Sequence, residues 1–470
     1  MGIVQACMRV IPEVKSPTEK RLPFNTKVKW TLAILVAFFI LSTIPLWGLG
    51  QNALSQFESL SIILGASFGS ILSLGIGPLV TASIVLQLLV GSKIIKIDTT
   101  SEEGRKHFQG LQKIFSVFFV VFEALIYVFM GGLAPPAELA GTAQFLYFEL
   151  LLVGQLIIGG LLVMYMDEVV SKYGLGSGIS LFIVAGVSAS IFVQAFSPLT
   201  SAGTWAFGSG QAPVGQVWVL FISLISGNPM GAVLAFSRIL ATVFIFAISV
   251  YVQAMKVEIP LSFGRIRGQG IRWPLKFMYT SNIPVILVAA LLANIQLWAR
   301  LLESWGYPLL GTFAGATPAS GLVAWIFSPQ IPQAIITGAF GFLQMGQSLI
   351  YILIMTAGAV LFSFFWVQTS GMDAQSQARQ MMASGLQIPG FRRDERMLTQ
   401  ILQRYIFPLT VMGAIAVGLL AAGADLLGAL SRGTGILLSV MIVYKMYEDI
   451  ARQHMMDMNP ALRKMMGGEE

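Results

Sequence analysis

The chain has 470 residues, 56% of them hydrophobic and 11% charged, with a formal net charge of +7 and a mean hydropathy of +0.77. An average soluble chain is about 25% charged, so this composition describes a polytopic membrane protein and excludes a soluble enzyme or a disordered binder. Cys7 is the single cysteine, and the two histidines, His107 and His454, lie outside the apolar runs. That inventory excludes an intrachain disulfide and a histidine/cysteine metal site inside the membrane. No phosphate loop of the form GxxxxGK[ST] occurs, so any nucleotide must be used by a partner, and no cofactor is expected.

Charged residues are spread through the first 29 positions and the first apolar run has full span length, so that run is read as retained and not as a cleaved signal. Apolar runs predict ten spans, near 28–49, 71–91, 114–133, 145–166, 175–196, 232–255, 280–300, 346–367, 404–424 and 426–447. Of the 29 lysines and arginines, 26 fall in the segments that this path leaves on one side. The opposite side receives Arg300 and Arg432, while Arg238 lies within the sixth span, either snorkelling to the interface or paired with an acid. The positive-inside rule then puts both termini in the cytosol. An apolar piece from Val217 to Ser226 must stay out of the count. If it crossed, the cations around Arg265 would face outward, so it reads as an outer hairpin or re-entrant piece. Prolines at 308, 318, 329 and 332 break the region 301–345 into a long outer loop with short helices.

The expected fold is an all-α integral membrane protein with ten transmembrane helices. One five-helix group starts inside and the next outside, which suggests two inverted halves around an axis in the membrane plane. The divisions are 1–196 for the N-terminal half, 197–231 for an outer linker, 232–450 for the C-terminal half and 451–470 for a cytosolic tail. Between the first two spans lies an apolar piece at 57–67. It is about eleven residues long, too short to cross about 30 Å of hydrocarbon, and is a half-helix or re-entrant piece. Gly69, Gly75, Gly77 and Pro78 follow it. A broken helix at membrane depth lines a cavity, since irregular backbone facing lipid leaves polar groups unsatisfied; an amphipathic surface helix before an ordinary span is the alternative.

Four stretches carry a resemblance. Gly75-Ile76-Gly77-Pro78-Leu79-Val80-Thr81-Ala82, with Gln87-Leu88-Leu89-Val90-Gly91 after it, closely resembles the second transmembrane segment of the SecY family, the central subunit of the protein-conducting channel. Tyr173 to Ile183, containing Gly176-Ser177-Gly178-Ile179, resembles the start of the fifth segment. Arg265-Ile266-Arg267-Gly268-Gln269, with Tyr279 to Leu287, resembles the loop and start of the seventh. Gly433-Thr434-Gly435-Ile436-Leu437-Leu438, with Tyr444-Lys445-Met446-Tyr447-Glu448, resembles the tenth. The Thr280-Ser281-Asn282-Ile283-Pro284 form points to the archaeal and eukaryotic branch.

The resemblance implies a channel that moves secretory polypeptides across the membrane and releases membrane helices sideways through a lateral gate, with no bond chemistry. It implies a pore ring at Ile76, Val80, Ile179, Ile183, Ile286 and Leu438, where branched aliphatic side chains exclude ions by dewetting. The 76/80 and 179/183 pairs are spaced i, i+4 and so share a helix face, although such pairs usually serve helix packing. The half-helix, with Phe57, Leu60, Ile63 and Leu64, corresponds to the plug, either mobile or a fixed lid. Thr81, Glu123 and Asn294 match a polar cluster at the lateral gate. A backbone bond for Thr81 and an interfacial bond for Asn294 are the ordinary alternatives, while a buried Glu123 needs a partner or a proton. Arg265, Arg267, Arg392 and Arg393 correspond to ribosome-docking loops, where positive-inside topology alone also demands cations. Implied partners are SecE-type (gamma) and beta-type small membrane subunits, the ribosome with a nascent chain and its signal sequence, signal-recognition-particle targeting machinery and membrane lipid. The implied location is the plasma membrane.

Two rivals use the same layout. A secondary transporter needs coupling acids at the midplane, and the spans offer essentially only Glu123. An intramembrane protease needs a histidine beside its nucleophile or two facing aspartates, and Asp425 stands alone near the outer end.

Overall fold

The computed structural model describes residues 12–18, 22–52, 65–92, 94, 95, 97, 102–200, 204–207, 211–263, 270–280, 283–315, 317–383, 386, 387 and 395–458. In chain order the helices are α1 (Phe24–Thr43), α2 (Gly77–Gly91), α3 (Glu102–Phe129), α4 (Ala143–Tyr173), α5 (Gly178–Phe196), α6 (Gln216–Ile225) and α7 (Pro229–Ala254). They continue as α8 (Ile283–Ser304), α9 (Gly321–Trp325), α10 (Ile331–Ile336), α11 (Phe342–Thr369), α12 (Ala374–Ala383), α13 (Glu395–Leu426) and α14 (Gly433–Met458). Among the described residues, eight helices are long and apolar enough to cross a membrane: α1, α3, α4, α5, α7, α8, α11 and α13. The 15-residue α2 and the apolar first half of α14 complete the ten segments expected from hydropathy.

Helix bounds depart from the apolar windows in one systematic way. At the cation-rich end, α3 starts at 102 and not 114, α4 runs to 173, α13 starts at 395 and α14 runs to 458. Hydropathy reads only the part in hydrocarbon, whereas backbone hydrogen bonding carries a helix on into polar sequence. The short α2 is the opposite case. At about 1.5 Å per residue it covers about 22 Å, less than the hydrocarbon thickness. Residues 65–76 before it run as turns, with Leu72 and Leu74 1% exposed. Their backbone is satisfied locally: Ile71 N–H donates to Ile44 O at 3.0 Å, Leu46 N–H to Gly69 O at 2.9 Å, and Gly69 N–H to Ser73 Oγ at 2.9 Å. Irregular backbone is thus kept inside protein and away from lipid.

The piece at 217–226 is helical. α6 folds back on α7 through Gly227, at φ +67°, and Asn228, whose Oδ1 accepts from Gly231 N–H at 3.1 Å while Pro229 opens the helix. The loop at 256–279 holds a feature that the all-helical expectation missed. β3 (Lys256–Phe263) pairs antiparallel with β4 (Gly270–Lys276), from Lys256 opposite Lys276 to Ser262 opposite Gly270, and β7 (Leu386–Gln387) joins the far end of β3. Two-residue ladders β1/β2 (Gln51–Asn52 with Leu133–Ala134) and β5/β6 (Phe313–Ala314 with Thr317–Pro318) close other loops.

α8 is the most enclosed of the eight long apolar helices and packs on α2, α11, α13 and α14. At the cation-rich end the chain start is tied to α3 and α4. Lys113 Nζ donates to Pro12 O at 2.8 Å and pairs with Glu168 at 2.9 Å, while Lys172 Nζ pairs with Glu13 at 2.7 Å and Glu168 at 3.0 Å. The hydrogen bond from Lys172 holds the Glu13 carboxyl below the usual carboxylate range.

Candidate functional site: a closed constriction and a seam

The expected ring residues converge. Ile76, just before α2, lies with Val80 on α2, Ile183 on α5, Ile286 on α8 and Leu438 on α14 in one buried cluster, each at most 6% exposed, and Ile179 packs against it half-buried. A cavity of about 460 Å³ reaches this cluster from the cation-rich end. Arg105 and Lys445 line its mouth region, and Val80, Ile179 and Ile286 lie on its wall. On the other side stands Gly65, where a side chain would lie 3.7 Å from Ile76 Cγ2 and 3.6 Å from Phe182 Cβ. Its φ of +52° suits glycine. Phe182 in turn stacks on Phe38 of α1 at 4.7 Å. The shape is a funnel ended by branched aliphatic side chains, with the exit of the 57–67 segment pressed against the far side. Phe57, Leu60, Ile63 and Leu64 lie outside the described residues, as do Arg265, Arg267, Arg392 and Arg393.

Beside the funnel runs a seam between α2/α3 and α8/α11. Thr81, Glu123 and Asn294 meet across it. Asn294 Nδ2 lies 2.9 Å from Thr81 Oγ1, and Thr81 Oγ1 lies 3.0 Å from Glu123 Oε1 and 2.9 Å from Gly77 O. Each of the three is at most 7% exposed, and Glu123 Oε2 has no partner among the described residues. The sequence alternatives are both present in part: Thr81 does bond its own backbone, and Asn294 is interfacial. Two further contacts on this seam escaped sequence reading. Ser304 Oγ at the end of α8 donates to Met130 O beyond α3 at 2.8 Å. At the other end of the seam Gly91 faces Phe365 of α11 so closely that a β-carbon would lie 2.2 Å from the ring.

Two aspartates hold the starts of α5 and α14, the helices that carry Ile179, Ile183 and Leu438. Asp167 on α4 accepts from Ile179 N–H at 2.9 Å, the second residue of α5. Asp425 on α13 accepts from Thr434 N–H at 2.7 Å, the second residue of α14. Asp425 also accepts from the Thr434 hydroxyl and, at 2.6 Å, from Tyr351 OH on α11. Each is a carboxylate placed on a helix N-terminus by the preceding helix, where unpaired amides and the helix dipole favour negative charge. Glycine permits the approach: a β-carbon at Gly178 would lie 2.5 Å from Asp167 Cα, and one at Gly433 2.1 Å from the Ala424 carbonyl carbon. A sequence signal existed, since Gly176-Ser177-Gly178-Ile179-Ser180-Leu181 and Gly433-Thr434-Gly435-Ile436-Leu437-Leu438 share a pattern and each follows its aspartate by eight or nine residues.

With this geometry in place, comparison with known proteins is specific. A family model described as SecY matches residues 70–447, and one described as the plug domain of Sec61p matches residues 36–69. The protein translocase subunit SecY of Methanothermobacter thermautotrophicus is 45% identical over 462 residues, covering 97% of each chain. A solved structure of a protein conducting channel is 38% identical with a TM-score of 0.81, over 97% of this chain and 98% of that one. Sec61 in the canine ribosome-channel complex from the endoplasmic reticulum is 37% identical with a TM-score of 0.78, over the same shares.

Proposed function

This chain belongs to the SecY family, and we propose a division of labour among its residues for the task that membership assigns. The protein is the pore-forming subunit of a Sec protein translocase, which moves secretory polypeptides across the membrane and releases membrane helices sideways. The observation that carries the division is the funnel, whose cavity stops at Val80, Ile179 and Ile286 while Gly65 backs onto Ile76 from the other side. Ile76, Val80, Ile179, Ile183, Ile286 and Leu438 form the pore ring, which dewets when idle and bends around a passing chain. Phe57, Leu60, Ile63 and Leu64 form the plug that supports the ring. The seam between α2/α3 and α8/α11 is the lateral gate, with Thr81, Glu123 and Asn294 as its polar clasp. Hydrogen bonds of this kind in a membrane contribute about 1 kcal/mol each, weak enough for a hydrophobic signal helix to compete.

Residues 1–196 and 232–450 act as two halves joined by 197–231, with 451–470 as a tail. The cation-rich end is cytosolic and carries both termini, the membrane is the plasma membrane, and Arg265, Arg267, Arg392 and Arg393 dock the ribosome through phosphate-matched guanidinium forks. The protein performs no bond chemistry. Force comes from the translating ribosome or another bound factor, SecE-type and beta-type subunits accompany the chain, and signal-recognition-particle machinery delivers substrates.

The test uses the single native cysteine. In a Cys7→Ser background carrying Ile183→Cys, a secretory chain with its own cysteine is stalled on a ribosome. A disulfide from position 183 to the nascent chain is expected, and it should vanish when the signal sequence is deleted. Absence of a disulfide at position 183, and equally at Ile286→Cys and Leu438→Cys, while the chain still crosses, would place the path elsewhere.

A further inference from the structure

Three arginines lie away from the cation-rich loops, and the sequence gives none of them a role. Arg300 is paired with Glu303 at 2.7 Å. The other two, Arg238 on α7 and Arg432 just before α14, line one cavity of about 240 Å³ at the cation-poor end of the bundle. Neither has an ion pair among the described residues. Arg238 Nη2 donates to Gln333 Oε1 at 3.1 Å, and the Arg432 guanidinium lies 5.9 Å over the Phe327 ring. Both partners are neutral, so two guanidinium groups and the single carboxylate of Asp425 leave the cavity wall with net positive charge.

The rest of the wall suits an oxyanion. Gln330 and Ser431 line it, Ser431 is 6% exposed, and neither its hydroxyl nor the buried Ser328 hydroxyl in the same wall has a partner among the described residues. Asp425 also borders the cavity; its oxygens accept from Tyr351 and Thr434, and its one negative charge is outnumbered by the two guanidinium groups. A guanidinium at membrane depth is costly unless matched, and Arg238 lies nine residues into its helix, about 14 Å along the axis. Cations at this end also oppose the charge asymmetry of the whole chain. Two forks of donors and two buried hydroxyls in one cavity wall match a tetrahedral oxyanion.

We propose that the cavity between α5, α7 and the 425–432 turn is a binding site for a phosphate group, held by Arg238 and Arg432 with Ser431 completing its hydrogen bonds. Its size admits phosphate or a phosphodiester headgroup and excludes a helix. The phosphate could reach it from solution or from a lipid at the bilayer edge, and the test separates the two sources.

Full-length protein in detergent is stripped of lipid, and its thermal midpoint is followed against inorganic phosphate, with chloride at equal ionic strength as reference. Bound lipid is counted by native mass spectrometry after incubation with phosphatidylglycerol or phosphatidylcholine. A saturable rise in midpoint with phosphate, weakened at least tenfold in apparent affinity by R238Q or R432Q and unchanged by R300Q, is expected if the source is soluble. One retained phosphatidylglycerol, lost in the double variant and not matched by phosphatidylcholine, is expected if the source is lipid. R238K and R432K keep the charge without the fork and should bind more weakly than wild type; they substitute for the glutamine variants if those fail to fold. No saturable phosphate response with no lipid preference, or a response that survives the double variant, would overturn the proposal.

Discussion

Two kinds of helix contact in this molecule are built from different chemistry. Where α4 hands over to α5 and α13 to α14, an aspartate grips the amide of the second residue of the next helix, and glycine removes all clearance. Where α2 meets α8, a neutral amide, Asn294, reaches across to the Thr81 hydroxyl, and at the end of α8 Ser304 donates to Met130 beyond α3. The first arrangement holds the helix by charge and by close backbone contact, whereas the second rests on one neutral hydrogen bond, which costs less to break. Ile179, Ile183 and Leu438 sit within two turns of the gripped ends, so their depth in the helix bundle is set by these contacts.

The grip at Asp425 gathers donors from α11 and α14, so breaking it should have the largest effect. Asp425→Ala leaves the Tyr351 hydroxyl and the Thr434 amide without their acceptor, and hydrogen bonds to a buried carboxylate are worth about 1.5–3 kcal/mol each. The thermal midpoint should fall by the equivalent of about 3 kcal/mol or more, and Asp425→Asn, which keeps an acceptor oxygen, should recover part of it. Equal loss in both variants would mean that shape and not hydrogen bonding holds this junction.

Asp167 is half-buried and serves the amide end of α5 without a third helix, so Asp167→Ala should cost about 1 kcal/mol, the usual loss of a helix cap. Its sharper signature is functional. With α5 free to slip, Ile179 and Ile183 lose their register, and ion current through idle channels in a planar bilayer should rise. An unchanged current alongside a lower midpoint would separate helix capping from pore sealing.

The smallest effect on stability belongs to the seam. Asn294→Leu removes one bond worth about 0.6–1 kcal/mol in a membrane, yet it should let a weaker signal sequence open the gate. Export of a reporter whose signal has lost one leucine should increase relative to wild type. Unchanged or reduced export would show that the Thr81–Asn294 contact does not restrain opening.

The sequence exposed the features that follow from solvent alone. Hydrophobic runs of span length located the ten segments, and the glycine-rich start at 69–78 marked the break before α2, because burial and backbone freedom are properties of residues wherever they end up. The i, i+4 pairs at 76/80 and 179/183 put aliphatic groups on common faces without saying what those faces meet. Even the β3/β4 ladder was partly written in the alternation from Lys256 to Phe263, which a helical expectation passed over.

Only the tertiary structure decided which distant residues touch. That Asn294 reaches Thr81 across 213 positions, that Asp167 and Asp425 each serve the next helix and not their own, and that Arg238 and Arg432 share one cavity all depend on how helices cross. A side chain's hydrophobicity fixes that it is buried, whereas its partner is fixed by packing angle and depth, to which many residues contribute a little and none decisively.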